Sequence, residues 1–383
     1  MIRREDMQLT ESGLWVDRRK FLQMGGVGLL GTILAACGVG SETTTTVATT
    51  TTSTAAATTT TAAAGATTTA AIKEIRANLS KIVMGDFNPN YAAQWSYSLA
   101  QALGYLEEYG IAEMERLLTD EYIAGLIGGS LDITHGDTNV FLGSAETSGE
   151  PLKILSMYRI QEWQIMGVRA GIDTAEDLRG ATITGGGLEG RNTFVQKKIV
   201  RNLGLDPETD VQFVPTSGGS DGRLQAVLAG TVDGASLFPR HRFALEEAGG
   251  KFLYAEIEPA PQEVFGAMEG WVTENYDTVL AWAVADLRAR QFMFDPANKD
   301  QAYQEMIDLG YEIPPEFIEL YQVELDQISE DGGFELDTMQ PFLDELAVTG
   351  DVPEGIDWRQ HFDFTALWEA QDILGIPRRP ASL

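Results

Sequence analysis

The stretch TAEDLRGATITGGGLEGRNTFVQKKIVRNL, residues 174–203, is the most informative segment of the chain. Ala181 to Thr184 reads as a short strand, Gly185 to Gly190 as a glycine-rich turn, and Asn192 to Leu203 as a helix. Free backbone N–H groups and the dipole at such a helix start favour an anionic or polar ligand group, with Asn192 or Thr193 able to cap. An ordinary strand-to-helix turn eased by its glycines accounts for the motif equally well. Further along, VQFVP (Val211–Pro215) reads as a strand and TSGGS (Thr216–Ser220) as a loop. The helix DGRLQAVLAG and the strand GASLF (Gly234–Phe238) follow, then Pro239, Arg240, His241 and Arg242. Upstream, KIVMGD (Lys81–Asp86) is a strand that breaks at Phe87, Asn88, Pro89 and Asn90. A helix is expected over Tyr91–Tyr109, where Trp95, Leu99, Leu103 and Leu106 recur at three- and four-residue spacing. Glu113–Leu118 reads as strand, Asp120–Ile127 as helix and Leu131–Thr138 as strand. Strands that alternate with helices imply an α/β fold with mostly parallel sheets and helices on both faces, and ligands gather at the carboxyl ends of such strands.

Two extended runs, LKILSMY (Leu152–Tyr158) and WQIMGVR (Trp163–Arg169), sit almost back to back and read as a crossing between two lobes. The expected organisation of the body is 73–160 for the first part of lobe I, 161–258 for lobe II, and 259–383 for the return to lobe I with C-terminal helices. That tail has helical patterning interrupted by Pro314, Pro315 and Gly333.

A chain of 383 residues with 44% hydrophobic content can bury a large core. A net charge of −30 argues against nucleic acid and anionic membrane surfaces as partners, because phosphate would be repelled. The single cysteine, Cys37, excludes an intramolecular disulfide. Its surroundings explain it. Asp17–Gln23 reads DRRKFLQ and resembles a twin-arginine export motif, with Asp17 where Ser or Thr is usual. Met24–Ala36 is uncharged and apolar but too short to span a hydrocarbon core of about 30 Å as a helix. Leu34–Cys37, LAAC, resembles a bacterial lipobox. A signal peptide over 1–36, lipidation at Cys37 and a tether to residue 72 are therefore expected. Residues Thr43–Ala71 contain only Thr, Ala, Ser, Val and Gly, which cannot build a core, and as a flexible coil they reach roughly 30 Å.

The order of elements and the phrases IAGLIGGSLDITHGDT, TAEDLRGATITGGG and GRLQAVLAGTVDGASLFP resemble type II periplasmic solute-binding proteins, in the branch serving thiamine precursors, taurine, alkanesulfonates and nitrate. The resemblance runs from about Lys81 to Thr349. It implies two α/β lobes joined by a hinge of two crossovers, a small-molecule ligand clamped between them, and delivery to an ABC permease by hinge closure. With the lipobox and tether, an extracytoplasmic, lipid-anchored monomer is expected, with no cofactor and no metal. Carried over position by position, the resemblance offers Phe87, Asn88, Trp95, Asp137 and Thr138 from the first lobe. Gly186, Gly187, Arg191, Asn192, Thr193, Pro239 and Arg240 come from the second, with Tyr158 near the hinge. Trp95 fits the core of its own helix as well, and Arg240 could pair with a surface carboxylate.

The loop DFNPN and the aromatic rings of Phe87, Trp95 and Tyr158 suit a flat heterocycle such as a thiamine pyrimidine precursor or a flavin-like compound, the expected ligand. Arg191, Arg240 and the glycine-rich helix start instead suit a sulfonate or carboxylate. An enzyme of the same fold, a pyrimidine synthase of thiamine biosynthesis, is a rival from another class. Its cysteine-rich motif is absent, and His135, His241 and His361 lack metal spacing. No enzymatic activity is expected. An exported sensor lobe is a third reading.

Overall fold

The computed structural model describes residues 75–86, 94–188 and 190–383, together with two short N-terminal strands. The chain divides into two compact units, 1–72 and 73–383. In the first unit, β1 (Met7–Leu9) pairs antiparallel with β2 (Trp15–Asp17). The arginine pair, the apolar run, Cys37 and the Thr/Ala tether lie outside the described residues, as do Phe87 and Asn88.

The second unit carries one eight-stranded sheet among the described residues. Its strands are β3 (Lys81–Asp86), β4 (Glu113–Leu118), β5 (Ile133–Asp137), β6 (Leu152–Val168), β7 (Thr182–Thr184), β8 (Gln212–Phe213), β9 (Gly234–Ser236) and β10 (Lys251–Met268), in the spatial order β4-β3-β5-β10-β6-β9-β7-β8. The outer strands pair in parallel at both ends, β4-β3-β5 on one side and β9-β7-β8 on the other. Between them β6 and β10 form a long antiparallel ribbon common to both halves. This is the mixed, mostly parallel α/β architecture expected.

The ribbon differs from its sequence reading. The run at 152–158 and all of the run at 163–169 except Arg169 belong to one continuous 17-residue strand. Its partner of 18 residues runs through Pro259 and Pro261. Proline cannot donate to a ladder, and the pairing accordingly skips register between Pro259 and Glu263. The apolar core divides at the same place. Ile154, Met157 and Tyr158 of β6 join Val264 and Phe265 of β10 in the larger cluster, whereas Met166 and Val168 pack with Ile183, Val195 and Ile199 beyond the ribbon centre. The middle of the ribbon, RIQEWQ on one strand and EPAPQE on the other, is polar, so two apolar lobes meet across a polar waist.

The helices are α1 (Ser96–Ala102), α2 (Tyr105–Glu108), α3 (Tyr122–Ile127), α4 (Thr138–Ser148), α5 (Arg191–Asn202), α6 (Gly219–Leu228), α7 (Arg242–Glu247), α8 (Glu269–Glu274), α9 (Tyr276–Phe294), α10 (Lys299–Asp308), α11 (Tyr321–Leu325), α12 (Met339–Thr349) and α13 (Thr365–Leu374). The single helix expected over Tyr91–Tyr109 is two among the described residues, because Gly104 adopts a left-handed φ of 73° between α1 and α2. The tail after β10 returns to the first lobe. Leu280, Trp282 and Leu287 of α9 and Leu367 of α13 lie in the larger cluster with Ile82 and Met84 of β3.

Candidate ligand-binding site

The carboxyl ends of β5 and β9 approach the polar waist from opposite sides. Asp137, the last residue of β5, stands opposite Glu263 of β10, and Ser236, the last of β9, stands opposite Met166 of β6. Residues that follow the parallel strands therefore converge on the ribbon centre, the position at which open α/β sheets hold ligands.

A line of charged side chains crosses this waist. Arg159 donates to Glu263 Oε1 at 2.7 Å and also to the Gln327 side-chain oxygen. Glu263 Oε2 lies 3.0 Å from His135 Nε2. Glu263 is buried, and burial alone would raise its carboxyl, but Arg159 and His135 hold it down at about 2. Glu324 is also buried. It accepts from Gln327 Nε2 at 3.1 Å through one oxygen, while its Oε1 has no hydrogen-bond partner. Burial raises its carboxyl, opposed by Arg240 and then Arg159, so Glu324 feels a guanidinium from each side of the waist.

On the second lobe, Arg223 sits on the inner face of α6 with Leu224 and Val227, only 5% exposed. Its Nε donates to the Ser236 carbonyl at 2.7 Å, and no carboxylate lies within ion-pair distance among the described residues. A methyl group built on Gly186 would come within 3.4 Å of Arg223 NH1, so the guanidinium tip borders the glycine-rich loop. Burial, and then the like charge of Arg240, push the Arg223 guanidinium down to about 10. Arg240 donates to Ser220 Oγ at 2.9 Å and lies 4.7 Å from the Phe238 ring. His241 holds this loop in place. Its Nδ1 accepts from the Phe238 N–H at 3.1 Å, which leaves Nε2 as the protonated nitrogen 3.1 Å from Asp221. Burial lowers the His241 imidazole to about 4, so it is neutral at physiological pH.

The expected site residues separate into two groups. Asp137, Thr138, Gly186, Pro239 and Arg240 follow the carboxyl ends of β5, β7 and β9. Trp95 and Tyr158 belong to the core: Trp95 packs between Tyr303 and Tyr321 at 6.2 and 5.9 Å, and Tyr158 is fully buried against Tyr97, His135 and Phe265. Arg290 lies 4.9 Å from the Tyr158 ring and the Ser96 N–H donates to its hydroxyl at 3.5 Å, so the ring faces protein on both counts. Neither Asn192 nor Thr193 caps α5, whose N-cap is Gly190 without a side-chain bond. Thr193 Oγ1 instead donates to the Gly187 carbonyl at 2.5 Å, because the loop folds tightly over the helix start. Gly187 itself is exposed and Asn192 half-buried.

Arg191 is held by protein carboxylates. NH2 donates to Glu162 Oε2 and NH1 to Glu345 Oε2, both at 2.6 Å, with the Phe342 ring 5.0 Å away. Lys198 adds bonds to Glu258 at 2.6 Å and Glu345 at 3.1 Å. These contacts join α5 of the second lobe, the ribbon and α12 of the return segment. On the other side, Phe243 stacks on Phe317 at 6.4 Å.

Sequence reasoning missed Arg223, Glu263, Glu324, Arg159 and Gln94. Arg223 left a trace, since it falls with Leu224 and Val227 on the apolar stripe of its helix. Gln94, fully buried just before α1, has neither amide atom bonded. No sequence signal marks it.

No family model and no curated protein matches the chain. Solved structures do. The periplasmic nitrate-binding protein NrtA from Synechocystis PCC 6803 aligns with a TM-score of 0.59 at 16% identity, over 80% of this chain and 93% of that one. A putative sulfonate ABC transporter periplasmic sulfonate-binding protein, SsuA, from Methylobacillus flagellatus KT gives 0.59 at 18% identity, over 79% and 98%. A mutant of DSZB in complex with biphenyl-2-sulfinic acid gives 0.55 at 15% identity, over 77% and 99%. Parallel wings, a shared two-strand ribbon and these likenesses agree: the chain has the fold of the type II periplasmic solute-binding proteins.

Proposed function

We propose that this protein is the extracytoplasmic solute-binding component of an ABC importer, anchored through a lipid on Cys37, and that it captures a small organic anion at the polar waist as a monomer. The observation that carries the anion is Arg223. A buried guanidinium without a carboxylate partner is unfavourable unless an anion neutralises it, and a second guanidinium beside it raises that demand. The nitrate- and sulfonate-binding proteins of the same fold support this reading, which replaces the heterocycle as the leading ligand class. The rings expected to stack on a heterocycle, Trp95 and Tyr158, are engaged in the core instead.

Binding rather than catalysis accords with the available groups. No cysteine occurs after Cys37, and His135 and His241 are buried and engaged by Glu263 and Asp221. Among the described residues no helix is long and apolar enough to cross a membrane. The test is the melting temperature of the full chain with nitrate, short alkanesulfonates, aliphatic carboxylates, a thiamine pyrimidine precursor and flavin. A ligand at a hundred times its Kd adds about 2.7 kcal/mol of stability. A rise with anions alone supports the proposal, and a rise with the pyrimidine or flavin alone overturns it.

A further inference from the structure

The chain enters the second lobe through β6 and leaves it through β10, and the pairing of these strands loses register between Pro259 and Glu263. With a separate apolar core on each side, this ribbon is where the lobes can rotate about one another. One charged cluster spans that boundary. Glu162 and Glu258 stand directly opposite each other in the ladder, a like-charge pair that is unfavourable unless cations neutralise it. Arg191 and Lys198 of α5 supply those cations, Arg191 at 2.6 Å from Glu162 and Lys198 at 2.6 Å from Glu258. That set of four balances its own charge. Glu345 is a fifth member and, among the described residues, the only one the first lobe contributes. Its two oxygens accept from Arg191 at 2.6 Å and from Lys198 at 3.1 Å. The helix α12 aims it: Phe342, about one turn earlier, sits in the core of the first lobe and lays its ring 5.0 Å from the Arg191 guanidinium.

We propose that Glu345 is an interlobe latch that holds the two lobes closed before any ligand arrives. Opening separates Glu345 from Arg191 and Lys198 but leaves both cations on Glu162 and Glu258, so no buried charge is orphaned. Glu345 itself is only half-buried and exchanges its two bonds for water. Burial opposes its charge, yet the bonds from Arg191 and Lys198 hold its carboxyl below the usual value, so it is ionised at neutral pH. The other flank offers less: Phe243 stacks on Phe317, and Arg242 lies 3.8 Å from Glu319 with both charged side chains exposed. The latch acts without ligand and is therefore independent of the class of molecule that the waist takes.

The experiment measures the distance between the lobes in the ligand-free full chain, refolded from denaturant to strip any carried-over ligand. Spin labels go on Thr209→Cys of the second lobe and Asp300→Cys of the first, both exposed, with Cys37→Ser to remove the native thiol. With Arg191, Lys198 and Glu345 in place, one short distance should dominate. Glu345→Gln should shift the closed-to-open ratio about fivefold or more toward a longer distance. Lys198→Gln leaves Arg191 on Glu345 and should shift it less, in the same direction; it decides the matter where Glu345→Gln does not fold. Glu208→Gln breaks a bridge to Lys197 confined to the second lobe and should leave the distance unchanged. A ligand-free chain already at the longer distance, a folded Glu345→Gln chain that keeps the short one, or an equal shift in Glu208→Gln overturns the latch.

Discussion

Arg191 and Arg223 are both drawn into the second lobe, both stand on helices that follow glycine-rich loops, and both approach the polar waist. Their surroundings differ completely. Arg191 has a carboxylate at 2.6 Å on each side and an aromatic ring for a third contact. Arg223 has one backbone carbonyl, the like charge of Arg240 and, beyond ion-pair distance, the opposite charge of Asp221. The first therefore belongs to the scaffold that joins α5 to the ribbon and to α12. The second keeps its charge available for something that enters from outside. Position beside a glycine-rich loop does not separate the two; the inventory of partners does.

Removing each guanidinium should break this comparison in opposite ways. Arg223→Gln is expected to lower anion affinity by about 3 kcal/mol, more than a hundredfold, because a charged partner of a desolvated ligand is lost. The melting temperature of the ligand-free chain should hold or rise. Arg191→Gln should destabilise the ligand-free chain by about 2 kcal/mol in denaturant titration, since it leaves buried Glu162 without its cation. Equal stability losses in the two variants would contradict the distinction.

A third, smaller effect concerns pH. Asp137 is faced by Glu263, His135, Arg159 and Glu162, and its carboxyl is raised to about 7. A raised carboxyl opposes folding in its charged form, so its destabilising contribution is absent below the unfolded value and complete above about pH 7. Between those limits Asp137→Asn should flatten the fall in melting temperature and raise stability at pH 8. Glu263 works the other way. Its stabilising contribution, present above the unfolded carboxylate range, should disappear as pH falls through about 2. The smallest effect is expected at Arg242, 3.8 Å from Glu319 but 40% exposed, where Arg242→Ala should change stability by no more than about 0.5 kcal/mol.

Much of the architecture was legible because local signals agreed with the fold. The segments Glu113–Leu118, Thr182–Thr184 and Gly234–Ser236 are strands where apolar runs end in turns, and α5 and α6 follow their glycine-rich loops as expected. The ribbon was less legible. Pro259 and Pro261 argue against a strand locally, and only the register skip of a long antiparallel pair accommodates them. The site divides by the same logic. Asp137, Thr138 and Arg240 could be placed because they follow strand ends. Arg223 and Glu324 could not, because their meaning lies in which charges surround them after folding. Trp95 and Tyr158 advertised an aromatic pocket, but rings of that size also fill cores, and composition alone does not distinguish the two uses.

The most direct test is calorimetric titration of short alkanesulfonates, aminoalkanesulfonates and carboxylates into the full chain and into Arg223→Gln, under conditions where both are folded. Binding of an anion to the native chain that falls more than a hundredfold in the variant is the expected result. An anion that binds both proteins equally, or a native chain that ignores every anion and binds a neutral heterocycle, would contradict the assignment of Arg223 as the group that receives the ligand.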